Sequence, residues 1–335
     1  MKGLVWWDGG WVVVGLKSHF YLDPASGKAR AVKVPGCEQI HAFATFGGVP
    51  VVLCSHAGRE HLALKRGDRW WEREVPEAAN TTTRPLTMAA DGESLALLQS
   101  GYLHRLDRRG RWRTKAIESS GAGAPVARSA LLHGDTLFVG YGDGEFGSGI
   151  WALDLGSGDW REIIAPLGQG SFARHERYIL AQAFQMVPHG GRFWAVAAFE
   201  PDSHLFGEVL TFDFRDWQLV AAVSGATRDM LSLYGLDPAR SRPDTVAWDQ
   251  PADAFQGLAF DDEGRPMVLG QELGVVRRDS AGHWTKLTPG WVAGTAVAAL
   301  GIKGTTLIIV TYLAGVVLWD FATGEVRKVK LGAPG

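Results

Sequence analysis

The stretch that decides the fold is "DTLFVGYGDGEFGSGIWALDLGSGDW", residues 135–160. Its first part, "TLFVGY", reads as a strand, and "GDGEFG" at 142–147 then fits the template G-x-G-x-x-G. A dinucleotide-binding loop of that pattern needs a helix next, whose N-terminal amides meet the pyrophosphate. The next residues instead set Ile150, Ala152 and Asp154 in alternation with Trp151, Leu153 and Leu155, and then comes a glycine-bearing turn. Alternation with period two is a strand. Asp143 and Glu145 would also set like charge against a phosphate. The segment is therefore strand, loop, strand ending in Asp, tight turn, and Trp opening another strand.

That unit recurs. Its clearest copies are "YLHRLDRRGRWRTKAI", "IWALDLGSGDWREII", "VLTFDFRDWQLVAAV" and "VVRRDSAGHWTKLT". "FYLDPASGKARAVKV" and "VVLWDFATGEVRKVKL" lack the tryptophan, and "LALKRGDRWWEREV" lacks the aspartate. The markers Asp23, Lys65, Asp107, Asp154, Asp213, Asp279 and Asp320 are spaced by 42, 42, 47, 59, 66 and 41 residues. Seven markers on a base period of 42 residues give seven units, with extra chain in the two longest intervals. Four short strands at such a period make a sheet with two faces to bury, which only neighbours in a ring can cover. Trp112, Trp160, Trp217 and Trp284 then read as packing between units, and the aspartates as side-chain caps of tight turns.

On these motifs the chain resembles the β-propeller superfamily over nearly its whole length, in the loose bacterial type whose blades run strand, turn, strand, loop, strand-Asp, Gly-x-Trp. The Gly-His and Trp-Asp pairs of WD repeats and the double glycine of kelch repeats do not recur in phase, and "DSAGHW" only grazes the sialidase Asp-box. The resemblance implies an all-β, seven-bladed propeller, with six or eight blades as alternatives, forming one domain over 1–335. The expected blades are 3–36, 37–78, 84–119, 124–166, 180–223, 250–289 and 291–332, with insertions at 167–179 and 224–249. A short helix is expected at 227–235 ("TRDMLSLYG"). An eighth blade between 224 and 249 is not, because "TVAW" is the one strand-like piece there. "KGLVWW" reads as a first strand A and "EVRKVKL" as a last strand D, so the ring is expected to close without strand exchange.

Composition narrows the function classes. With 34 basic and 36 acidic residues and a formal charge of −2, nothing points to nucleic acid or an anionic membrane. No apolar run approaches the roughly 18 residues of a membrane span. The start "MKGLVWWDGG" lacks the pattern of a secretory signal. Cys37 and Cys54 are the only cysteines, too few for a disulfide framework, and are expected as buried free thiols. A cytoplasmic location fits that expectation; a secreted or periplasmic one would hold if a signal had been removed. Asn80 heads a glycosylation triplet that matters only in a secreted eukaryotic chain.

Calling the strands of a blade A (innermost) to D, propellers open their B–C connections and D–A links on one face. The A–B and C–D turns open on the other. Here the C–D turns and most A–B turns are short, while the long pieces fall on the first face over blades 4 to 6. They are "YGDGEFGSG", "FEPDSHLFGE", "LGQGSFARHERY" and the run from 224 to 255. Long loops in compact domains carry function more often than scaffold. The candidate binding face therefore comprises Asp143, Glu145, Phe146, Glu200, Asp202, His204, Phe206, Tyr234, Trp248 and Glu272. No cofactor is implied, although Asp143, Glu145, Asp202 and His204 are a donor set for a divalent cation such as calcium.

Other residues weigh less. His19, His56, His61 and His204 fall in or near B–C connections, but the five-residue spacing of His56 and His61 has no ligand meaning on an irregular loop. Cys54 with His56 as a nucleophile pair reads as ordinary strand packing. "RRGRWR" (108–113) reads as a solvated turn, and no Gly-x-Ser-x-Gly elbow occurs. The favoured function is a protein-binding propeller that presents its loop-rich acidic face to a partner, such as an enzyme or a toxin it neutralises. The alternative is a metal-assisted hydrolase or lyase at the mouth of the central channel, which would also take a small-molecule ligand. A purely structural module would need no loop elaboration.

Overall fold

The computed structural model describes residues 3–14, 19–76, 87–99, 101–117, 127–142, 148–164, 178–201, 206–213, 217–223, 244–246, 254–270, 273–287, 297–311 and 315–331. Every regular element among them is a strand, arranged in seven sheets in which consecutive strands pair, antiparallel in all but one pairing. The protein is a seven-bladed β-propeller. The helix expected at 227–235 lies outside the described residues.

The core explains why the units cannot stand alone. Seven buried apolar clusters occur among the described residues, and each draws its side chains from two adjacent blades. Between blades 4 and 5, Phe138 packs on Phe193 and Phe212 with ring centroids 4.8 and 5.5 Å apart. The repeated tryptophans sit at these seams, as the sequence pattern requires. Trp112 packs between blades 2 and 3, Trp160 between 3 and 4, Trp217 between 4 and 5, and Trp284 between 5 and 6. The Trp112 indole N–H also donates to the Glu74 carbonyl of the preceding blade at 3.0 Å. In blade 2, where the aspartate is missing, Trp70 packs on the seam with blade 1, while the next residue, Trp71, points the other way and is 57% exposed.

The marker aspartates cap their turns. Asp154 Oδ1 accepts the amides of Gly156 and Ser157 at 2.8 and 2.6 Å, and Asp320 Oδ1 accepts those of Ala322 and Thr323. Asp23, Asp107 and Asp279 take equivalent bonds. Such donors favour the carboxylate, so all five carboxyls titrate below their ordinary range. The Arg-rich turn of blade 3 is internally paired: Arg111 bridges Asp107 and Arg108 bridges Glu93.

Blade 1 is made of strands 3–7, 10–14, 19–22 and 29–31, and blade 7 of strands 297–303, 306–311, 315–320 and 326–329. Neither lends a strand to the other, so the ring closes by packing of Val13 and Leu22 against Ile308, Val310, Val316 and Leu318. Close approach at this seam demands a glycine. A Cβ on Gly301 would lie 2.5 Å from Leu4 Cδ2 and 2.9 Å from Trp11 Cη2.

Blade 5 departs from the pattern. It has five strands, Tyr178–His189, Arg192–Pro201, Phe206–Phe212, Trp217–Val223 and Asp244–Val246, and the last pairs parallel to the fourth. The 224–249 stretch, expected as an insertion, thus supplies an outer strand to blade 5. That strand reaches the next blade: Asp244 Oδ2 accepts Arg278 Nε at 2.5 Å and Trp284 Nε1 at 3.2 Å.

Candidate functional site

The two faces of the ring are built differently. On the face of the A–B and C–D turns, strands of one blade are joined by short turns, closed by glycines such as Gly158 (φ 82°) and Gly324 (φ 77°). On the opposite face the connections are uneven. Blade 2 joins strands B and C through Ala57 and Gly58, both left-handed (φ 49° and 79°), the geometry of the tightest hairpin turn. The B–C connections of blades 4 and 5 take 143–147 and 202–205, the link from blade 4 to 5 takes 165–177, and that from 5 to 6 takes 224–243 and 247–254.

Most of the expected binding-face residues, namely Asp143, Glu145, Phe146, Asp202, His204, Tyr234, Trp248 and Glu272, lie outside the described residues. Two are placed. Glu200 belongs to strand B of blade 5, paired with Ile179, and Phe206 opens strand C, paired with Phe199. The sequence pattern puts both in a loop over 199–208, but alternation in "RFWAVAAFEP" continues the strand to Pro201 and shortens that loop to 202–205. The 141–149 loop of blade 4 is shortened in the same way, because Gly142 still pairs with Ser148.

The best-defined polar cluster on this face lies over blade 2. Its strands are Gln39–Phe46, Val49–His56, Arg59–Arg66 and Arg69–Glu74. Cys54 and His61 face each other in register near the upper end of strands B and C. Cys37 comes from the link out of blade 1, just after Gly36 (φ 73°). The structure joins Cys37 to Cys54 in a disulfide, with Cα atoms 5.5 Å apart. His61 Nε2 lies 3.2 Å from Cys54 Sγ and 3.9 Å from Cys37 Sγ. Cys54 and His61 are buried and Cys37 half-buried.

Around them, the Glu38 amide donates to the Ser55 carbonyl at 3.0 Å, and Glu38 Oε2 accepts the Ala57 amide at 3.2 Å. Glu38 Oε1 also pairs with His56 Nδ1 at 3.3 Å, and His41 Nε2 lies 4.0 Å from Glu60 Oε1. The link is thereby pinned over strand B.

These positions correct three expectations. The cysteines are not free thiols, and the argument for a reducing compartment falls with that. His61 stands on a strand, not on an irregular loop. The histidine beside Cys54 is His61 across the ladder, not His56 two residues along the same strand. A two-residue turn at Gly47 and Gly48 alone would set His41 opposite Cys54; a bulge between Ile40 and Ala42 sets Ile40 there instead, and Cys37 follows three residues before it.

Of the remaining histidines considered, His19 is buried in strand C of blade 1. No helix among the described residues is long and apolar enough to cross a membrane.

No protein-family model matches the chain, and no curated protein sequence matches it. Solved structures do. A catalytically inactive virginiamycin B lyase from Staphylococcus aureus with quinupristin superposes with a TM-score of 0.55 at 12% identity, covering 94% of this chain and 92% of that one. YCF48 bound to D1 peptide gives 0.54 at 11% identity over 89% and 83% of the two chains. The dihydro-heme d1 dehydrogenase NirN in complex with DHE gives 0.55 at 12%, over 96% and 63%. Such likeness, at these identities, is a likeness of fold.

Proposed function

We propose that the chain is a protein-binding propeller that receives a partner on its upper face over blades 4 to 6. One observation carries this reading: chain length is distributed unevenly between the faces. The blade-to-blade links outside blades 4 to 6 run 7 to 12 residues, at 32–38, 75–86, 117–126 and 287–296. The links on either side of blade 5 are the longest, 13 residues at 165–177 and 28 in two pieces at 224–243 and 247–254, and the B–C connections at 143–147 and 202–205 lie in the same arc. The sequence in and beside these connections supplies Asp143, Glu145, Asp202, His204 and Glu272, with Phe146, Tyr234 and Trp248, an acidic and aromatic composition suited to a basic partner surface. A propeller of similar fold, YCF48, is bound to a peptide, which is the mode proposed here.

The test exchanges 143–147 and 202–205 for short glycine-serine turns and compares capture of partners with that of the parent chain. A partner retained by the parent and by a variant altered in the lower-face turns, and lost from the exchange variant, supports the reading. Equal capture by all three overturns it. Near-stoichiometric divalent metal in the purified parent, lost with Asp143→Ala and His204→Ala, would instead favour a metal-assisted hydrolase or lyase at the channel mouth.

A further inference from the structure

We propose that Cys37, Cys54 and His61 form a redox-gated binding site for a thiophilic divalent cation of the zinc type, closed as a cystine and opened by reduction. The three donor atoms lie within 4.8 Å of one another. Tetrahedral zinc with thiolates at about 2.3 Å and imidazole at about 2.0 Å sets its ligands roughly 3.5–3.8 Å apart. The S···N separations of 3.2 and 3.9 Å already bracket that edge. Only the two sulfurs must move, from bonded contact to the same spacing.

The fold allows that movement on one side only. Cys54 and His61 are fixed as a register pair within an antiparallel ladder. Cys37 rides on the link after Gly36, outside any strand, and is the more exposed of the two cysteines. Two ligands are thus preorganised and the third is adjustable. Three protein ligands leave one position for water or a further ligand, the arrangement of an open zinc site rather than a closed structural one. His61 Nε2 points at the sulfurs and is the ligating atom; the charged neighbours Glu38 and Glu60 make their own contacts with His56 and His41.

The chemistry balances in two steps. A thiolate of a small dithiol attacks the Cys37 sulfur, and the Cys54 thiolate leaves beside His61. The reagent's second thiol then resolves the mixed disulfide, giving two protein thiols and the reagent's own disulfide, so that two electrons and two protons pass to the protein. Zinc then displaces the two thiol protons and accepts both thiolates and the neutral imidazole. Metal and disulfide exclude each other, so the redox state of the cystine decides whether the site exists.

The experiment titrates cobalt(II), and then zinc in competition, into the full chain after anaerobic reduction and removal of the reductant. Expected is one cobalt per chain with a thiolate-to-metal charge-transfer band, displaced by zinc and absent from the oxidised chain. His56→Ala keeps the band, and Cys37→Ser and Cys54→Ser lose it. His61→Ala binds at least about tenfold more weakly, since even outer-shell partners are worth ten- to a hundredfold. Zinc also protects both cysteines of the parent from alkylation, a readout independent of whether each variant folds. A reduced, folded chain without the band, a band unchanged in His61→Ala, or loss of the fold on reduction that zinc does not restore would each overturn the proposal and leave a structural cystine.

Discussion

Asp244 and Trp284 meet across the boundary between blades 5 and 6, with the indole Nε1 donating to Asp244 Oδ2 at 3.2 Å while Arg278 Nε approaches the same oxygen. Asp244 stands on a three-residue strand beyond the long connection at 224–243. Its ladder to strand D of blade 5 has three register pairs, too few to hold such a segment unaided. The carboxylate therefore anchors the fifth strand to the neighbouring blade. Asp244→Ala is expected to cost about 1–3 kcal/mol, the range for removing a charged hydrogen-bond partner. Amide exchange should accelerate at 244–246 and 284–286 and stay unchanged in blades 2 and 3. Unchanged exchange at 244–246 would show that the strand is held by its ladder alone.

Acid sensitivity arises from the capped turns. Asp23 is held below its ordinary value near 3.8 first by the Ser26 hydroxyl, Asp107 by the Arg111 amide, and Asp154 by the Ser157 amide. Asp279 is held by the His283 amide and Asp320 by the Thr323 amide. A carboxyl whose folded value is depressed stabilises the fold above its unfolded value, and that contribution disappears as pH falls through the folded value. The window therefore opens near pH 4 and extends below it. Urea midpoints measured from about pH 6 to 3 should fall most steeply at the acid end. Asp154→Asn, which keeps a turn-capping oxygen but cannot ionise, should flatten that slope; a slope identical to the parent's would rule Asp154 out as a contributor.

A second, separate window comes from His104, which is fully buried in blade 3. Its Nε2–H donates to Gln99 Oε1 at 3.0 Å, and its Nδ1 accepts the Thr114 hydroxyl at 2.9 Å, the bonding of a neutral ring. Burial lowers its affinity for a proton below the ordinary 6.5. The unfolded chain takes up that proton first, so stability is present above about pH 6.5 and declines as pH falls below it. Thermal midpoints between about pH 7 and 5 should fall in the parent and fall less in His104→Asn, whatever the variant's absolute stability. Parallel curves would exclude His104 as the titrating group.

The fold was legible because its signals are local and repeated. A strand ending in Asp154, a turn through Gly158 and Trp160 beyond it is a complete statement of two strands and their connection, and four such statements with three variants fix the ring. Phe138 needed no separate insight, since any blade with that pattern must bury both faces. The site was less legible. Cys37, Cys54 and His61 lie on three different segments, and only the hairpin register brings them together; spacing along the chain hid it. The strand-like "TVAW" marked the place of the fifth strand of blade 5 but not its parallel pairing with strand D. A three-residue parallel strand shows no alternation, and "DTV" is held by Asp244 and its partners rather than by its own pattern.

Ring closure offers the last test. Blades 1 and 7 share no strand, so their seam, like the other six, rests on side-chain packing, and Gly301 lies against Leu4 and Trp11 across it. Gly301→Ala would place a methyl 2.5 Å from Leu4 Cδ2 and 2.9 Å from the Trp11 ring. Overpacking of that kind typically costs about 1–3 kcal/mol. Because the added methyl strains this seam directly, the strain should be relieved by opening there first. Amide exchange in blades 1 and 7 should rise well above that in blades 3 and 4, whereas Gly92→Ala, whose Cβ meets nothing nearer than Arg108 Nη2 at 3.5 Å, should leave the pattern unchanged. A uniform rise across all seven blades would mean that the seam opens no earlier than the rest, and that packing at Leu4, Trp11 and Ile308 binds the ring as tightly as the continuous chain does elsewhere.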